Sequence, residues 1–186
     1  VLQIDWSTLF PAEVRAKAIG NLPYSITSPL LEKFIEHRQR FERAVWTLQL
    51  EVAQKVTAPP GTRASSSLGV FVQAFCETKL LFRVSKRSFW PPPEVDSAVV
   101  QLFPLEKPRF KAPEEAFLRI VRAAFGLRRK TLLRALTLSP HVKLSTEQAR
   151  AILRQASIAE SRRGETLTLE EFDRLAQELA QMENSA

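Results

Sequence analysis

Asn21-Leu22-Pro23-Tyr24-Ser25-Ile26-Thr27-Ser28-Pro29 is a junction between two periodicities. Before it runs a short apolar segment, Ala16-Lys17-Ala18-Ile19-Gly20; after it, Leu30, Leu31, Phe34 and Ile35 recur at helical spacing. A Thr27 or Ser28 N-cap with Pro29 at the first helical position is the expected helix start. The tetrapeptide 21–24 therefore occupies a strand-to-helix loop. In open α/β sheets ligands bind there, at the carboxyl ends of the strands.

Working outward, residues 41–50 hold Ala44, Val45, Trp46 and Leu48 and predict a buried strand, and 51–56 predict a short helix. Residues 58–67 are Pro-, Gly- and Ser-rich and predict a loop. A helix is expected over 68–76 and a strand over 79–84. The Pro91-Pro92-Pro93 run forbids a regular helix and predicts a rigid extended loop carrying Phe89 and Trp90. Residues 97–102 are expected to close the sheet as an antiparallel final strand.

From Pro104 the pattern turns helical. Residues 114–125 place Phe117, Ile120, Val121 and Ala124 on one face, with Arg119 and Arg122 outward. A second helix carries Leu132, Leu133 and Leu136. Ser145-Thr146-Glu147-Gln148 and Thr168-Leu169-Glu170-Glu171 each read as a capping box for a further helix. The division implied is an α/β domain over 1–104 and a small all-α domain over 105–186.

The 186 residues carry a formal charge of +7, and 107–134 alone hold nine Lys or Arg against Glu114 and Glu115. So concentrated an excess points to a polyanion, nucleic acid first, although a solvated helix face gives the same count. There is no apolar run of about 18 residues to span a membrane. Cys76 is the only cysteine and lies among Leu68, Phe71, Val72 and Phe75, so a buried structural thiol and an intracellular, cytoplasmic protein are expected. His37 and His141 are isolated, and no metal site is expected.

The residue types of the junction suit one chemistry. The exocyclic amine of adenine is a poor nucleophile because its lone pair is delocalised, so an alkylating enzyme should accept hydrogen bonds from its N–H groups. Asn21 offers a side-chain oxygen, Leu22 a backbone carbonyl fixed by Pro23, and Tyr24 a π-face for an extruded base. Phe89 offers a second aromatic wall. Taken alone, the tetrapeptide is equally a turn with Tyr24 packed on the sheet. Asp5, after an apolar run expected to be a strand, could accept from a ligand's amino group or simply cap a turn.

Four stretches occur together in one order: 21–29; Leu48-Gln49-Leu50-Glu51-Val52; Phe89-x-Pro91-Pro92-Pro93-x-Val95-Asp96-Ser97-Ala98-Val99-Val100; and Ala124-Phe125-x-x-Arg128-Arg129-Lys130-Thr131-Leu132. This combination resembles the ribosomal RNA adenine-N6,N6-dimethyltransferase family, in particular the bacterial small-subunit enzymes. The resemblance implies a Rossmann-like class I methyltransferase sheet followed by a helical domain, S-adenosylmethionine as methyl donor, and two adjacent adenines of small-subunit rRNA as substrate. It implies that Asp5 contacts the cofactor's adenine and that Asn21 serves both cofactor and target amine. Asn21, Leu22, Tyr24 and Phe89 would then form the catalytic cluster. Arg119, Arg122, Arg128, Arg129, Lys130 and Arg134 would face RNA.

Ser65-Ser66 stand where the family usually has Tyr-Gly. The chain opens at Val1, and the family's Gly-rich loop and second-strand acidic residue are expected upstream of it. Asp5 and Asn21 alone supply hydrogen bonds of about 0.5–1.5 kcal/mol each, against roughly 8 kcal/mol for micromolar affinity, so weak cofactor binding by this chain is expected. A monomer acting on the pre-30S particle is the implied setting. Two other readings fit the same residues: an assembly factor that binds pre-ribosomal particles, and a large-subunit rRNA methyltransferase of the macrolide-resistance type.

Overall fold

A computed structural model describes all residues except Ala12, Arg128, Ser185 and Ala186. In chain order the elements are β1 (Ala16–Asn21), α1 (Thr27–Glu36), β2 (Phe41–Gln49), α2 (Leu50–Thr57), α3 (Ser67–Phe75), β3 (Cys76–Val84), β4 (Ser97–Pro104), α4 (Glu114–Gly126), α5 (Leu132–Leu138), α6 (Thr146–Gln155) and α7 (Leu169–Asn184). They form two compact units. One comprises Val1–Thr57 with Phe75–Pro108, the other Ala58–Ala74 with Arg109–Ala186.

The first unit is built on a four-stranded sheet in the order β1-β2-β4-β3. β1 and β2 are parallel, while β4 runs antiparallel to both β2 and β3. Strand alternation puts Ala44, Trp46 and Leu48 of β2 and Ala98, Val100 and Leu102 of β4 on one face, all buried. Leu31, Phe34 and Ile35 of α1 are buried with them, and the Phe34 ring meets Trp46 edge-on at 5.0 Å. β4 does not close the sheet as expected. It lies inside, and β3 takes the edge because its exposed Glu77, Lys79 and Arg83 tolerate water where the apolar row of β4 does not.

Three further expectations are corrected. Residues 1–4 are turn and bend, with Val1, Leu2 and Ile4 exposed; Lys33 Nζ donates to the Leu2 and Ile4 carbonyls, and Trp6 alone is buried, edge-on to Phe41 at 5.5 Å. α1 begins at Thr27 behind a 3-10 turn over Tyr24–Ile26, with no side-chain cap. That turn already supplies the Tyr24 carbonyl to the Thr27 N–H, so the first helical donors need no hydroxyl cap, and Pro29 falls harmlessly in the first turn. Cys76, buried as expected, opens β3 instead of ending a helix.

In the helical unit Phe110 stacks on Phe117 at 4.1 Å, and Phe117, Ile120, Leu132, Leu136, Ile152, Phe172 and Leu179 are buried. Asp173 of α7 accepts from the Lys111 and Ala112 N–H groups, both at 2.9 Å, which fixes the chain's entry into α4. The Ser145 capping box forms as read. Residues 58–74 join this unit through backbone: the Arg109 N–H reaches the Ala74 carbonyl at 2.8 Å, and Gln73 Nε2 closes the 58–73 loop onto the Ala58 carbonyl at 2.7 Å. The composition shift at Pro104 carries no trace of that grouping.

Candidate functional site

β1 ends at Asn21, and the next N–H, that of Leu22, still pairs with the Thr47 carbonyl at 3.2 Å. Pro23, at φ −59° and ψ 127°, turns the chain away from the sheet. Its carbonyl accepts from the Ile26 N–H at 3.1 Å and the Thr27 hydroxyl at 3.3 Å. The bend is thus held by backbone on both sides. It leaves two acceptors, the Asn21 side chain and the Leu22 carbonyl, without a hydrogen-bond partner among the described residues.

The loop between β3 and β4 supplies the opposite wall. Ser85 Oγ accepts from the Arg87 N–H at 3.3 Å, Asp96 Oδ1 from the Lys86 N–H at 2.9 Å, and the Glu94 carbonyl from Lys86 Nζ at 3.2 Å. The Asp96 carbonyl accepts from the Leu50 N–H at 2.9 Å. With both ends tied and three prolines between, the loop presents Phe89 half-buried and Trp90 96% exposed. The Trp90–Pro91 peptide is cis.

These two segments enclose an open cleft of about 360 Å³ lined by Asn21, Leu22, Pro23, Tyr24, Phe89, Trp90, Pro91 and Pro93. The structure therefore brings together all four residues assigned to the catalytic cluster. Ser97 was not singled out, yet its buried Oγ lies 2.6 Å from the Tyr24 hydroxyl and holds that ring. The available signal was its position as the last polar residue before the apolar run of β4. Trp90, carried on the same rigid loop as Phe89, is a further wall of the cleft.

Asp5 behaves otherwise. Its carboxylate accepts from the Ser7 N–H at 2.8 Å and hydroxyl at 2.7 Å, capping the short turn Trp6–Thr8. Those two bonds hold its pKa below the ordinary value. The capping alternative is what the chain adopts, and Asp5 lines neither this cleft nor the neighbouring apolar one of about 440 Å³ beside Lys17–Gly20, Trp6 and Trp46.

Among the cations assigned to RNA, Arg122, Arg129, Lys130 and Arg134 are exposed, with no ion-pair partner among the described residues. Arg128 lies outside the described residues. Arg119 is not free, contrary to expectation: it donates to both oxygens of Glu183, at 2.7 and 3.0 Å, and to the His141 carbonyl at 2.8 Å. The Glu183 hydrogen bonds raise its pKa against the opposing effect of burial. Lys130 sits in the turn before α5, which starts at Leu132.

Amide and carbonyl oxygens that accept hydrogen bonds, with aromatic walls and no cation among the lining residues, fit both a neutral base and the sulfonium end of S-adenosylmethionine. Residues 6–177 match the family described as ribosomal RNA adenine dimethylase. The chain is 36% identical over 179 residues to ribosomal RNA small subunit methyltransferase A of Clostridium acetobutylicum, covering 96% of this chain and 64% of that protein. It is 47% identical over 161 residues to the protein of the same name from Pelotomaculum thermopropionicum, covering 86% and 54%. The chain thus spans less than two thirds of the length of these relatives.

Among solved structures, a dimethyladenosine transferase from Plasmodium falciparum superposes with a TM-score of 0.78 at 27% identity, covering 94% of this chain and 69% of that one. The 23S rRNA methyltransferase ErmE shares the fold, with a TM-score of 0.64 at 24% identity over 95% of this chain and 70% of that one. The sheet is accordingly that of a Rossmann-like methyltransferase, and the chain belongs to the ribosomal RNA adenine dimethylase family.

Proposed function

We propose that the protein methylates the N6 amines of two adjacent adenines in small-subunit rRNA, using S-adenosylmethionine, within the cytoplasm and on the pre-30S particle. The observation that carries this reading is the pair of unpartnered acceptors, the Asn21 side chain and the Leu22 carbonyl, in a cleft walled by Tyr24 and Phe89. Tyr24 and Phe89 hold the extruded base by stacking. Asn21 Oδ1 and the Leu22 carbonyl accept from the two N–H groups, which draws the nitrogen lone pair out of the ring and aims it. The cofactor supplies an electrophilic methyl group. In the second transfer the amine has one N–H left, so one of the two acceptors goes unused.

The small-subunit substrate is favoured over the large-subunit one because relatives at 36–47% identity bear that name. The likeness to ErmE, at 24% identity, speaks to fold alone. Asn21→Ala should lower methyl transfer from labelled cofactor by orders of magnitude while RNA affinity is nearly kept. Near-normal turnover would overturn the reading. Primer extension on both rRNAs reads out the substrate, and stops on large-subunit rRNA alone would overturn the small-subunit assignment.

A further inference from the structure

Trp90 is 96% exposed, whereas Trp6 and Trp46 are 6% and 4% exposed. An indole is among the side chains most favoured in a core, and a flexible loop would fold it away. This loop is not free to do so. Asp96 holds it at the Lys86 N–H, Lys86 Nζ holds the Glu94 carbonyl, and the proline run fixes the chain between. The result is a flat apolar plate kept in water at the mouth of the Asn21 cleft, next in sequence to Phe89 and lining the same cleft. The chain just before Phe89 is cationic. Lys86 and Arg87 are exposed, and Arg87 has no ion-pair partner among the described residues.

An exposed aromatic plate beside exposed cations is the arrangement by which single-stranded nucleic acid is held, the bases stacking while the cations follow the backbone. We propose that Trp90 is a stacking residue for the nucleotide next to the adenine in the cleft. This rests on the rRNA reading above and deepens it. A base between Tyr24 and Phe89 must be pulled from its own stack, and its neighbour then loses a partner. Trp90 replaces that lost partner, so it contributes to substrate binding and touches no transferring atom. Because every base has a π-face, this contact tolerates sequence changes at the neighbouring position.

The test uses a single-stranded RNA with two adjacent adenines, a second RNA with an abasic nucleotide beside the target adenine, and the wild-type, Trp90→Phe and Trp90→Ala chains. Trp90 is so exposed that neither variant disturbs the core. RNA should quench wild-type tryptophan emission, and Trp90→Phe should remove most of that change because the other two tryptophans are buried. Trp90→Ala should weaken binding about 5- to 100-fold and Trp90→Phe by no more than about 3-fold. The salt slope should stay unchanged, since no charge is lost. The abasic RNA should abolish the difference between wild type and Trp90→Ala.

If wild type binds RNA but Trp90→Ala binds equally well, or if quenching is the same on abasic RNA, the Trp90 assignment fails alone. If wild type binds neither RNA at low salt, the rRNA reading fails with it.

Discussion

The Tyr24 hydroxyl and Ser97 Oγ lie 2.6 Å apart, and that bond ties the turn after β1 to the first residue of β4. Ser97 is fully buried, so the anchor belongs to the sheet and the tyrosine is positioned by it. Ser97→Ala and Tyr24→Phe should each cost about 0.5–1.5 kcal/mol in urea unfolding. The double variant should cost clearly less than the two added together, because both remove one interaction. Strict additivity would mean that the two hydroxyls are not coupled.

Asn21, Leu22, Tyr24 and Phe89 were legible because each sits where a local rule puts it: the end of an apolar strand, a proline-fixed bend, a proline-stiffened loop. The cleft they line was readable for that reason. Asp5 was misplaced because an acidic residue after Val1–Ile4 fits a strand end and a turn cap equally, and the Ser7 hydroxyl settled it. The strand order was hidden for a different reason. β3 and β4 are of similar length, and the charges Glu77, Lys79 and Arg83 of β3 mark it as the edge only once the pairing across the sheet is known. Arg119 could not be told from Arg122 by helical position, since its partner Glu183 is 64 residues away in sequence.

Gly164 should tolerate no side chain. A Cβ there would lie 2.4 Å from the Ala124 carbonyl oxygen and 2.8 Å from its carbon, which are helix backbone and cannot swing aside. Gly164→Ala is expected to destabilise the helical unit by roughly 2 kcal/mol and to lower its Tm by roughly 8–16 °C. Gly126→Ala is the control, because nothing lies within 4 Å of a Cβ built there. Equal melting of the two variants would contradict the close approach of Gly164 to α4.

Acid should weaken the Arg162–Glu171 pair in a defined direction. Burial pushes the Glu171 carboxyl up, but Arg162, hydrogen-bonded to both its oxygens, the Thr168 N–H at 2.9 Å and the charge of Arg174 outweigh it and leave the pKa lowered. With the folded value below the unfolded one of about 4.3, the stabilisation is complete above that pH and is lost as pH falls through the folded value. Glu171→Gln should therefore be less stable than wild type at pH 7, by about 1 kcal/mol, with the gap closing in acid. Urea midpoints at pH 7, 4 and 3 check this, and a gap independent of pH would refute it.

RNA binding by the helical unit should separate charge that is available from charge already used. Arg129 and Lys130 are exposed before α5, whereas Arg119 is spent on Glu183 and His141. If the exposed cations neutralise phosphates, each contact adds about 0.7 to 0.9 to the slope of log affinity against log salt. Replacing Arg129 and Lys130 together by glutamine should reduce that slope by roughly 1.4 to 1.8, weaken binding similarly for unrelated RNA sequences, and leave Tm unchanged. Arg119→Gln should do the reverse, lowering Tm with little change in slope, because it removes a bidentate bond to Glu183 and the link to His141. Filter binding across a salt series, with melting of the same samples, reads both quantities. An unchanged slope in the double variant, or a slope that falls with Arg119 instead, would move the RNA contacts away from the turn between α4 and α5.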